Sequence, residues 1–229
     1  MCGFAGFLDS TRSTSADFLR ETATRLADTI THRGPNDRGT WIDERAGIAF
    51  GFRRLAIMDL SPEGRQPMRS AAGRYTVVFN GEIYNHEDLR RELAASDSPP
   101  SFRGRSDTEV LLAAVERWGI EASVRRFVGM FAFALWDNKE RQLTLGRDRF
   151  GEKPLYYGWM GRTFLFGSEL KALRAHPDFR GEVDRNAVVS FLRTGYIPAP
   201  HSIYRDIYKL PPGALLSRSA EVPGRPVGS

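Results

Sequence analysis

Thiols are nearly absent: there is one cysteine in 229 residues. No disulfide can form within the chain, and a cystine-stapled scaffold is excluded. Metal ligands are equally scarce. The four histidines, His32, His86, His176 and His201, have no second cysteine nearby. That spacing excludes the usual zinc site, and no metal is expected. Lysine is rare too. Of 33 basic residues only Lys139, Lys153, Lys171 and Lys209 are lysines, and the other 29 are arginines. These arginines are spread along the chain and interleaved with 28 acids, for a net charge of +5. A nucleic-acid surface clusters its charge, so this even bias reads as codon composition and no nucleic-acid partner is expected. No apolar run approaches the roughly 20 residues of a membrane helix, so no membrane is expected. The start, MCGFAGFLDS, lacks a basic leader and meets Asp9 early. It does not read as a signal peptide, and the expected location is cytoplasmic.

What remains is a globular composition, 41% apolar and 27% charged. The order of elements predicts one α+β domain over 1–195, an extended proline-rich segment over 196–217 and a disordered tail over 218–229. Residues 2–8 read as a buried strand. Helical spacing over 15–31 places Phe18, Leu19, Ala23, Leu26, Ala27 and Ile30 on one face, with Ser15 as N-cap. Strands follow at 39–43, 46–50 and 54–59. The run YTVVFN predicts a strand over 75–80 that ends in a turn at Asn80-Gly81. A helix is expected over 85–95. Ser106 and Glu109 form a capping box that opens a helix through Trp118, and a second helix covers 120–127. The stretch GMFAFALWD, 129–137, is apolar on both alternating faces, which predicts a strand covered on both sides. Strands at 141–147, 154–159 and 163–168 complete a meander, and helices follow at 169–175 and 184–194.

Several residues could carry chemistry, each with a plainer alternative. Removal of Met1 would leave Cys2 with a thiol and a free α-amine on one residue. The amine, with a reference pKa near 7.7–8.0, could take the thiol proton, although a free cysteine also packs as a small hydrophobe. Asn80 and Gly81 could donate two hydrogen bonds to an oxyanion, or form an ordinary hairpin turn. Arg54 has the fork that suits a carboxylate, or is one surface arginine among many. Asp107 could bind a cation or merely favour the start of its helix. Asp148, in GRDRFG, reads as a structural turn-former.

Taken in order, CGFAGFLD, THRGPNDRGTW, RRLAIMDLSPEGRQPM, VVFNGEIYNHEDLR, SDTEVLL, GMFAFALWD, GRDRFGEKPLYY and FGSELKAL resemble the N-terminal glutaminase domain of asparagine synthetases. That domain is a class II glutamine amidotransferase of the N-terminal-nucleophile hydrolase type. The resemblance covers about 2–175, and GYIPAPHSIYRDIYKLPPG is similar to the segment leading into a synthetase domain. It implies a four-layer αββα sandwich of two antiparallel sheets between helix layers. It also implies Cys2 as nucleophile, Asn80 and Gly81 as oxyanion hole, and Arg54 at the glutamine α-carboxylate. Glu82 and Asp107 would lie at the α-amine, with Ile57 lining the pocket. The implied reaction hydrolyses glutamine to glutamate and ammonia through a Cys2 thioester, without a cofactor. ATP and magnesium are expected only for an absent synthetase domain, because no SGGxDS phosphate loop occurs here. Ammonia would then amidate aspartate or a related acid. A second reading makes the chain a non-catalytic remnant, or a regulatory partner of a separate synthetase subunit. Phe52 and Ala56 depart from the family's usual histidine and serine and are expected to alter packing beneath the glutamine pocket.

Overall fold

The computed structural model describes residues 2–56 and 61–221. The chain builds two antiparallel sheets. The first has six strands: β1 (Gly3–Asp9), β2 (Asp37–Asp43), β3 (Ile48–Arg54), β8 (Tyr156–Met160), β9 (Thr163–Gly167) and β10 (Ile207–Lys209). Their order across the sheet is β10-β8-β9-β1-β3-β2. The second has five: β4 (Met68–Arg69), β5 (Tyr75–Ile83), β6 (Gly129–Asp137), β7 (Gln142–Arg147) and β11 (Leu215–Ser219), in the order β11-β7-β6-β5-β4. The helices are α1 (Ala16–Asp28), α2 (His86–Ala94), α3 (Asp107–Trp118), α4 (Ile120–Arg126), α5 (Leu170–Arg174) and α6 (Arg185–Thr194).

The two-residue period of each strand decides the layering. On β1, Phe4 and Leu8 face a core that also holds Phe50 and Phe52 of β3 and Val78, Ala132, Ala134 and Trp136 of the second sheet. Their alternates Ala5 and Phe7 face Leu19, Ala23 and Leu26 of α1. On β6, Phe131, Phe133 and Leu135 face α2 and α3 through Leu89, Leu93, Val110 and Leu111. Every strand that carries the site is therefore covered on both sides, and the layers run helices, sheet, sheet, helices. This is the αββα sandwich that the family resemblance implies.

Five expectations need correction. The strand predicted over 46–50 runs on as β3 to Arg54, paired continuously with β1 and β2; of the strand predicted over 54–59, Leu55 and Ala56 belong to no strand and 57–59 lie outside the described residues. Gly51 within β3 lets α1 approach: a Cβ there would run into the Ala23 carbonyl. The predicted turn at Asn80-Gly81 does not exist, because β5 continues to Ile83 with Asn80 opposite Ala132 and Gly81 opposite Phe131. A Cβ at Gly81 would lie 2.6 Å from the Phe131 Cα, so the glycine serves close strand approach rather than reversal. The 196–217 segment is not merely a leader, since it supplies edge strands to both sheets. Arg218 and Ser219, expected in a disordered tail, are the last residues of β11, where Arg218 pairs with Leu143 and Ser219 with Gln142. Phe18 also departs from its predicted buried face and is 40% exposed.

One buried group outside the site sets a pH dependence. His176 is 4% exposed, its Nδ1 accepts from the Asp178 N–H at 3.2 Å, and its ring meets Phe7 edge-on at 4.6 Å. Burial pushes its pKa down from 6.5 to about 4. The neutral ring is the folded form, so its stabilisation is complete above the unfolded pKa and is lost as pH falls toward the folded one. Between about pH 7.5 and about pH 5 this costs about 2 kcal/mol. The carboxylates of Asp9, Asp137 and Glu169, whose pKa values are lowered, act mainly below this window, and Asp107, with a raised pKa, acts in the opposite sense. Urea unfolding of the wild type and His176→Gln isolates the histidine: the wild type is expected to lose about 2 kcal/mol more across that range.

Candidate active site

The nucleophile candidate precedes the central strand of the first sheet. Cys2 is half-buried at the entry to β1. The Arg33 Nε donates to the Cys2 carbonyl at 3.0 Å, while its Nη1 donates to Glu169 at 2.9 Å. The Cys2 Sγ accepts from the Leu55 N–H at 3.3 Å and lies 3.6 Å from the Leu55 carbonyl. Burial raises the thiol pKa, and the Leu55 N–H opposes that shift. The resting group is therefore a thiol that needs a base, held beside a donor that would favour the thiolate.

Arg54 ends β3 one residue before Leu55. It is buried, and its Nη1 donates to the Ser61 carbonyl at 3.0 Å. The opposite wall comes from the second sheet. Asn80 is 1% exposed, and its Nδ2 is a buried donor without a partner among the described residues. An unpaired buried amide donor costs roughly 1–3 kcal/mol, so it marks a place where something else accepts.

The strand period also sets the direction of the neighbouring backbone. On β5 the Phe79 N–H donates to the Gln66 Oε1 at 2.6 Å and the Ile83 N–H to the Asp107 Oδ2 at 2.9 Å. Both point away from β6, and the Gly81 N–H between them points the same way, because alternate residues of a strand share a direction. Asp107 begins α3 with Ser106 as N-cap, whose Oγ accepts from the Glu109 N–H at 3.3 Å. The capping box is only half formed, since the Glu109 carboxylate accepts from the N–H groups of Arg103 and Gly104. Burial raises the Asp107 pKa, and the Ile83 N–H opposes it.

These side chains converge. Cys2, Arg54, Asn80, Gly81, Glu82 and Asp107 line one cleft between the ends of β1 and β3 and the edge of β5. Of the residues singled out from sequence for this cleft, Ile57 lies outside the described residues. Phe52 is fully buried in the intersheet core, whereas Ala56 lines the cleft. Asp148 is structural, as read: its carboxylate accepts from the N–H groups of Phe131, Phe150, Glu152 and Lys153. Two participants escaped the sequence reading. Arg33 was one arginine among 29, distinguished only by its place in THRGP. Lys153, buried at the cleft wall, is one of four lysines in a chain that otherwise uses arginine, and that rarity was the available signal. The cleft thus offers a thiol, a buried amide donor, two cations and two carboxylates.

A two-sheet sandwich thus brings a cysteine at the entry to one sheet and a buried amide donor on the other to a single cleft. The chain belongs to the glutamine amidotransferase domain family, whose model matches residues 1–223. It is 40% identical over 224 residues to "Asparagine synthetase [glutamine-hydrolyzing] 3" of Bacillus subtilis, covering 96% of this chain and 35% of that protein. It is 33% identical over 228 residues to "Putative asparagine synthetase [glutamine-hydrolyzing] 2" of Methanocaldococcus jannaschii, covering 92% of this chain and 42% of that protein. The chain thus spans about a third of the length of the curated relatives it matches. Among solved structures it is similar in fold to glutamine phosphoribosylpyrophosphate amidotransferase from B. subtilis. The TM-score is 0.63 at 19% identity, over 96% of this chain and 49% of that one. The match to the glutaminase part of the synthetases agrees with the motif order read from the sequence.

Proposed function

We propose that this chain hydrolyses glutamine to glutamate and ammonia at Cys2, and that the ammonia serves an ATP-dependent amidation of aspartate or a related acid elsewhere. The observation that carries this reading is the unpartnered Nδ2 of Asn80, buried in the cleft that holds the only thiol. Glutamine is a zwitterion with an amide tail. Arg54 and Lys153 complement its carboxylate, and Glu82 and Asp107 its ammonium.

The steps use groups of the chain alone. Once Met1 is removed, the Cys2 α-amine takes the thiol proton and the sulfur bonds to the amide carbon. The resulting oxyanion accepts from the Asn80 Nδ2–H and the Gly81 N–H. Collapse breaks the C–N bond, the protonated amine gives its proton to the leaving nitrogen, and ammonia departs from a γ-glutamyl thioester. Water then attacks, its proton passes to the amine, the C–S bond breaks, and the thiol is restored with release of glutamate. ATP and magnesium belong to the acceptor's activation and take no part here.

The test incubates the purified chain, its mature cysteine N-terminus verified by mass spectrometry, with glutamine. Equimolar glutamate and ammonia, with a mass increment on Cys2 in quenched samples, is the expected result. Absence of turnover from a protein with a free Cys2 would overturn the proposal and favour the regulatory-partner reading.

A further inference from the structure

Gln66 sits where the two halves of the site meet. The pairing of Met68 with Val77 and Arg69 with Thr76 places Gln66 opposite Phe79 if the ladder is extended by two residues. The main chain does not extend it. At Gln66 the backbone has turned toward the other sheet, where its carbonyl lies so close to Gly39 of β2 that no Cβ would fit. Instead the side chain closes the ladder: Oε1 accepts from the Phe79 N–H at 2.6 Å, and Nε2 donates to the Phe79 carbonyl at 3.2 Å. The same Nε2 lies 3.3 Å from the Thr108 Oγ1 as donor. One buried amide is therefore tied to the residue before Asn80 and to the residue after Asp107, while its own backbone rests on the sheet that carries Cys2 and Arg54.

From this geometry we infer that Gln66 is a positioning residue for the oxyanion hole: it fixes the open edge of β5 against the first sheet, so that the Asn80 amide and the Gly81 N–H face the Cys2 sulfur. The inference rests on the glutaminase reading. It follows from what the edge of β5 lacks. Among the described residues no strand covers it beyond Val77; Gln66 caps Phe79, Asp107 caps Ile83, and the Gly81 N–H lies between the two caps. Loss of the Gln66 clamp frees Phe79, and with it the aim of the next residue's side chain. Small displacements of a preorganised donor weaken transition-state binding far more than ground-state binding. Glutamine itself is held by Arg54, Glu82 and Asp107, of which Arg54 belongs to the other sheet.

The experiment compares wild type, Gln66→Met and Gln66→Glu. For Gln66→Met, kcat is expected to fall about 10- to 100-fold with KM within about twofold. Inhibition by glutamate γ-semialdehyde, whose thiohemiacetal oxygen would occupy the hole, should weaken by the same factor, and inhibition by glutamate, which has no such oxygen, should not change. Gln66→Glu keeps the acceptor for the Phe79 N–H and loses the donor to the Phe79 carbonyl. Protonation of the new carboxyl restores that donor, so its kcat relative to wild type should rise as pH falls. A purely structural role would not produce this convergence of the pH profiles at low pH, and Gln66→Glu also serves if Gln66→Met does not fold. Equal weakening of aldehyde and glutamate, unchanged kcat, or parallel pH profiles would overturn the role of Gln66. An inactive wild type would be recognised separately, as failure of the glutaminase reading itself.

Discussion

Cys2→Ala is expected to remove glutamine hydrolysis, with turnover falling on the order of 10⁵- to 10⁶-fold, the scale seen when a hydrolase loses its nucleophile. The variant changes little else. Cys2 is only half-buried, and alanine retains its backbone carbonyl for the Arg33 Nε. The groups that complement the glutamine zwitterion come from other elements, so the variant should bind glutamine within a few-fold of wild type by calorimetry. This split separates loss of chemistry from loss of fold or substrate. Because the chain has one cysteine, alkylation stoichiometry reads this site alone. The pH dependence follows from the thiol's position. Burial raises its pKa, so the thiol stays protonated near neutrality, and the rate should rise with pH as the α-amine, near 7.7–8.0 in reference peptides, loses its proton. An N-terminal extension that retains an amide bond at Cys2 should be as inactive as Cys2→Ala. Activity in either protein would remove the sulfur and the amine from the mechanism.

The legible and illegible parts of this molecule divide by distance along the chain. The β6 stretch announces its environment because both of its alternating faces are apolar, and the structure places helices on one and the first sheet on the other. The helix starts at Ser15 and Ser106 were readable because a cap acts over three residues. Asn80-Gly81 misled, since the pair favours turns locally while its use here depends on β6 passing close to Gly81. The β11 strand was hidden for a similar reason: its residues carry little strand signal and are ordered by the open edge of β7. In the site, the residue types were readable and their grouping came from motif order, whereas the geometry was not. Arg33 acts on residues 31 and 136 positions away, and Gln66 acts through a ladder position that its own backbone has abandoned. Neither spacing leaves a mark on a linear pattern.

The same contrast sharpens what Asn80 should do when changed. Asn80→Ala is expected to lower kcat about 10²- to 10³-fold, the cost of one oxyanion donor, with KM within a few-fold. The amide nitrogen contacts an oxygen that carries charge only after sulfur attack, so its removal weakens the transition state and spares the bound substrate. Stability should move the other way. The Nδ2 is a buried donor with no partner among the described residues, and deleting it removes a penalty of about 1–3 kcal/mol, set against a few lost packing contacts. The melting temperature should therefore hold or rise by about 2–4 °C. Asn80→Asp keeps the shape and reverses the electrostatics, placing a carboxylate against the developing oxyanion, and should fall below Asn80→Ala in kcat. Thermal melts and steady-state kinetics on the three proteins decide the matter. A slower and less stable Asn80→Ala would make Asn80 a structural residue, whereas a slower and equally or more stable one is the signature of a donor held ready for a charge that the resting enzyme does not contain.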